Sequence, residues 1–77
     1  MEIYVVTCTF NVSRMLVDCA FKDVNVAKAY VAEQNGDKAK AITHCQKLLV
    51  RRQGESMLKF LDEVAGVTYE VVATELK

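Results

Sequence analysis

The chain has 77 residues, 52% of them apolar, and its ten Lys and Arg balance ten Asp and Glu. One hydrophobic core at this length leaves little room for a deep substrate cleft, which favours a surface that acts by contact over an enzyme pocket. Balanced charge points to neither a polycationic nucleic-acid binder nor an acidic mimic. Three cysteines, Cys8, Cys19 and Cys45, are odd in number and lack a C-x-x-C pair. That excludes a disulfide framework of the secreted mini-protein kind and reads as reduced, mostly buried thiols. A Cys8–Cys19 bridge across a hairpin is the alternative left open.

The run Ile3–Phe10 is β-branched and aromatic, the composition of a strand. Asn11-Val12-Ser13 supplies turn chemistry, and Arg14–Phe21 then alternates, with Met15, Val17, Cys19 and Phe21 on one face. A hairpin centred near Val12 sets Ile3, Val5 and Thr7 beside that row, and this face is the expected core. The other face, Tyr4, Val6, Cys8 and Phe10 with Leu16 opposite, is too apolar for solvent. Either the chain's own third helix or another chain, such as a second copy in a homodimer, covers it.

Asp23 caps a predicted helix from Val24 to Asn35, with Gly36 beyond its end and Ala27, Tyr30 and Val31 on its packing stripe. Asp37 caps a second through about Arg52, with Ile42, Cys45 and Leu49 inward. Leu48-Leu49-Val50 within it also reads as strand. Ser56 starts a third helix with Met57, Leu58, Leu61 and Val64 inward until Gly66. Val67–Leu76 closes as a strand with Val67, Tyr69, Val71 and Ala73 on one face. The order β-β-α-α-α-β gives one α+β domain spanning 1–77: a three-stranded antiparallel-type sheet, first strand central, with helices packed on it.

Motifs for chemistry are sparse. The single histidine, His44, falls on the polar side of helix two, and Cys45 beside it points about 100° away, so the two form no local nucleophile–base pair. Asp18, Asp62 and Glu63 read as solvated acids. The glycines match no phosphate-binding or nucleophile-elbow pattern, and the residues call for neither a metal nor a cofactor. No apolar run reaches the roughly 20 residues that span a membrane, and Glu2 stands where a leader peptide carries basic residues, so a cytoplasmic protein is expected.

The sharpest feature is basic. Residues 38–52 hold five cations and no acid, and Lys40, His44, Lys47 and Arg51 align along one helix face. With Arg52, and with Tyr4 and Phe10 as exposed hairpin aromatics, they are the candidate partner-binding residues. The target is a protein surface or, second, nucleic acid, although the aromatic interleaving of a single-strand binder is missing.

Residues 2–36 and 67–77 resemble a loose group of short bacteriophage-encoded proteins. The likeness rests on an opening strand like Ile3-Tyr4-Val5-Val6-Thr7, a second strand ending in an aromatic (Phe21), and a helix carrying Ala27, Tyr30-Val31 and Asn35. A closing strand like Tyr69-Glu70-Val71…Glu75-Leu76 completes it. The helical insert 37–66 stands outside the likeness. The resemblance implies a non-enzymatic accessory protein that inhibits or modulates a host protein, as anti-CRISPR and other anti-defence proteins do, in the host cytoplasm. Many such proteins are acidic DNA mimics, and this neutral chain departs from that pattern, which favours blocking of a protein surface.

Overall fold

The computed structural model describes residues 1–75. Strands β1 (Glu2–Phe10) and β2 (Arg14–Phe21) form the hairpin, followed by helices α1 (Val24–Asn35) and α2 (Lys38–Gln53), a 3₁₀ segment (Glu55–Glu63) and strand β3 (Thr68–Glu75). The sheet is antiparallel in the order β2-β1-β3, so the first strand is central, as its apolarity on both faces predicts. Leu76, placed at the end of the last strand from sequence, lies outside the described residues.

Local chemistry sets the boundaries. Asp23 accepts hydrogen bonds from the backbone N–H groups of Asn25 and Val26, and Asp37 accepts one from Lys40. Each is an N-cap, worth about 1 kcal/mol to its helix. Asn11 and Val12 both adopt positive φ at the hairpin tip. Asparagine tolerates that region, whereas for a β-branched valine it costs about 1–2 kcal/mol. Asn35 docks on the outer edge of β3, donating to the Tyr69 carbonyl and accepting its N–H. The carboxamide thus occupies part of an edge that would otherwise invite another strand.

The core lies on the face expected to need a cover. Val6, Cys8, Phe10, Leu16 and Tyr69 of the sheet pack against Ala27, Ala41, Cys45, Leu48, Leu49 and Val64. Between Val6↔Cys19 and Thr7↔Val17 the hairpin register shifts, and Asp18 is the extra residue of a β-bulge. The strict alternation read for β2 is therefore broken. Cys19 and Phe21 join Tyr4, Val6 and Cys8 under the helices, while Met15 and Val17 stay with Ile3, Val5 and Thr7 on the opposite face. That face, the core expected from sequence, is uncovered in the single chain: Met15, Val17 and Val72 are 65%, 51% and 46% exposed. The bulge carries Cys19 and Phe21 to the covered face because a one-residue shift exchanges the faces of a strand of period two, while the helices pack on the face of Val6, Cys8 and Phe10.

Residues 55–63 form a 3₁₀ segment with no side-chain cap, not the predicted α-helix. Met57 and Leu61 are half-buried and Val64 is buried, but Leu58 faces solvent. Leu48-Leu49-Val50 is helical.

Candidate interaction surface on the second helix

The bulge residue organises the site. Asp18 turns its carboxylate toward the helices, with the side chain only 7% exposed. Its Oδ2 accepts from the Tyr30 hydroxyl of α1 and from His44 Nε2 of α2, the latter at 3.1 Å. His44 Nε2 also lies 3.1 Å from the Tyr30 oxygen. The Tyr30 proton goes to the carboxylate, so that oxygen accepts, and Nε2 carries the hydrogen that both oxygens share. Arg52 closes the group from the end of α2, its Nη2 donating to the Asp18 carbonyl at 3.4 Å.

His44 is therefore no surface histidine. It stands on the shoulder of the α2 apolar stripe, one turn before Leu48, with its ring near those of Tyr30 and Tyr69. Asp18 is likewise no solvated acid. Three elements meet at one carboxylate, and a buried charge of this kind is tolerated only when its lone pairs are filled. Burial, and then donation to Asp18, pushes the Tyr30 phenol far above its ordinary range. Burial followed by the same carboxylate raises the Cys19 thiol. Such a carboxylate–histidine pair can orient a base, but the neighbouring nucleophile faces away: Cys45 is in the core against Cys8. Donation to Cys8 and burial hold the Cys45 thiol well above the usual range. Acceptance from Cys45 holds Cys8 lower. Cys8 pairs across the hairpin with Leu16, not Cys19, which removes the geometry for a Cys8–Cys19 bridge.

The candidate contact residues divide accordingly. Phe10 is 4% exposed and belongs to the core, so it offers nothing to a partner. Tyr4 is half-buried, packs against the core and donates to Glu2. Lys40 is paired with Glu33 of α1. Arg52, beside the row, turns toward β2. Lys47 and Arg51 remain exposed, with no ion pair or hydrogen bond among the described residues. Lys47 borders two shallow grooves. One is lined with Lys40, Thr43 and His44, and the other with the apolar Val50, Leu58 and Leu61.

Sequence reasoning missed the Asp18 network because its members lie 12 and 26 residues apart. The available signal was an acid inside the otherwise apolar run Met15–Phe21. Among the described residues, no three His, Cys, Asp or Glu side chains come together to hold a metal, and no helix is long and apolar enough to cross a membrane. No protein-family model, no curated protein and no solved structure matches the chain.

Proposed function

We propose that the chain is a small, non-enzymatic, viral-type binding protein that inhibits or modulates a host protein by stoichiometric contact through the flank of α2. The observation that carries this reading is the juxtaposition at Lys47: unpaired cations at Lys47 and Arg51, beside an apolar groove where Leu58 is 56% exposed. A phosphate backbone would use the cations and leave the groove idle. An acidic protein surface with an apolar side chain beside its carboxylates uses both, with charge guiding encounter and the groove supplying burial. The phage resemblance adds the class of target, an antiviral-defence complex of the host.

The test is the double charge reversal Lys47→Glu/Arg51→Glu. Both side chains are exposed and unpaired, so the fold should survive, while affinity for the target falls about 100-fold or more. Unchanged binding and unchanged biological effect would sink the reading. The aligned cations also suit nucleic acid, and a salt titration separates the two. Binding of a labelled duplex through phosphates collapses as salt rises, whereas a protein interface with an apolar groove persists.

A second copy is the proposed cover for the open sheet face. Ile3, Val5, Met15, Val17 and Val72 lie there among threonines, with Glu70 its one charge among the described residues. A neutral face gives a charged partner nothing to read, whereas it matches itself across a two-fold axis. Light scattering on a sizing column should give twice the 8.6 kDa chain mass. Val17→Lys should return the single mass. A wild-type monomer at micromolar concentration would remove the dimer from the proposal.

A further inference from the structure

We infer that the cleft beneath the hairpin tip is a binding site for a free apolar α-amino acid in its zwitterionic form. This site lies at the C-terminal end of α2 and does not depend on the α2 contact surface. The cleft measures about 290 Å³. Its floor is Phe10, Leu49 and Val64, each at most 6% exposed, and Met57 and Phe60 border it.

Two opposite charges, Arg14 of β2 and Glu63 of the 3₁₀ segment, line the same cavity. Their side chains do not pair with each other, and neither side chain forms an ion pair or hydrogen bond with any described residue. Two unpaired charges of opposite sign over an apolar floor match a ligand bearing a carboxylate, an ammonium group and an apolar side chain. Arg14 takes the carboxylate with its forked donors, and Glu63 takes the ammonium. The Gln53 side-chain amide, also without a partner among the described residues and also lining the cleft, supplies a further donor to the carboxylate. One wall is held in place: Asn11 N–H donates to the Ala65 carbonyl, and the Asn11 side-chain oxygen accepts from Ala65 N–H, both at 2.9 Å. That clamp fixes the hairpin tip to the approach of β3, which lowers the ordering cost of binding. Sites for drug-sized ligands begin at roughly 300 Å³, so this cavity suits something as small as one amino acid and excludes a nucleotide.

The experiment is a ¹H–¹⁵N titration of the intact chain with L-phenylalanine and L-leucine, to about 10 mM, where a weak site is still read. Saturable shifts are expected at Phe10, Leu49, Phe60 and Val64. Phenethylamine, which lacks the carboxylate, and N-acetyl-phenylalanine, which lacks the ammonium, should each bind about tenfold or more weakly. Arg14→Gln and Glu63→Gln should produce the matching losses. The ligand series alone decides the matter if a variant does not fold. No saturable shift at the cleft would overturn the inference, as would affinity indifferent to loss of either ligand charge. The second outcome would mark a simple apolar crevice.

Discussion

Replacing Leu48 by alanine is expected to destabilise the domain by about 3–4 kcal/mol, a large fraction of what holds it together. A chain of 77 residues has a total stability of about 4–12 kcal/mol, at about 0.05–0.15 kcal/mol per residue. Leu48 is 2% exposed and among the largest fully buried side chains. Leu→Ala at such sites costs about 2–5 kcal/mol, the upper part of the range applying where neighbours cannot close the void. One turn back on α2 the same stripe offers only Cys45, too short to reach across, Leu49 is already fully buried in its own place, and the sheet on the far side is held by its ladders. The control is Leu58→Ala. Helical periodicity places Leu58 inward, but the 3₁₀ segment leaves it 56% exposed, and its loss should cost no more than about 0.5 kcal/mol. Urea unfolding followed by far-ultraviolet circular dichroism compares the two midpoints. Equal costs would mean that the core is not the one described.

The contrast between Leu48 and Leu58 shows where local sequence signals end. Strands, caps and helix limits were legible because each is specified within a few residues. The β-branched run of β1 specifies a strand, Asp23 and Asp37 reach only to the backbone two or three residues on, and Asn11-Val12-Ser13 turns the chain. The α+β class and the central place of β1 follow from those elements, since a strand apolar on both faces suits the middle of a sheet. What escaped was set by contacts far along the chain. The one hint of a bulge in Arg14–Phe21 is the acid Asp18, and the pattern of β2 is equally consistent with unbroken alternation. The extra residue is stabilised by Tyr30, His44 and Arg52, which are supplied by two helices. Similarly, the apolar positions of 55–63 fit a helix of 3.6 residues per turn as well as the tighter one, and the choice decides whether Leu58 or its neighbours face inward. The basic row was visible as spacing. Its division into a half-buried histidine, a paired Lys40 and two cations unpaired among the described residues depended on what stands opposite each one.

Asp18→Ala is the second change with a large expected effect, about 2–3 kcal/mol of destabilisation, although the deleted side chain is small and polar. The loss comes from the partners. Tyr30 and His44 are part-buried donors aimed at one carboxylate, and alanine leaves the Tyr30 hydroxyl without its acceptor and His44 Nε2 with the Tyr30 oxygen alone, at about 1–3 kcal/mol for a buried group left unsatisfied. Water can reach His44, whose side chain is 34% exposed, which holds the total below the sum of two full penalties. Asp18→Asn keeps an acceptor oxygen and should recover a substantial part of the loss. The pH dependence gives an independent reading. The Tyr30 phenol is raised in the folded protein, by burial and by its bond to Asp18, so folding favours its protonated form. The corresponding stability is fully present below the unfolded phenol value of about 10 and declines as pH rises above it. Absorbance at 295 nm should therefore show Tyr30 titrating well above the ordinary phenol range, or only as the native chain unfolds in alkali. In Asp18→Ala one of the two causes is gone, and the alkaline transition should begin at lower pH. A variant as stable as the wild type, with an unshifted alkaline transition, would mean that the carboxylate does not tie β2 to the helices.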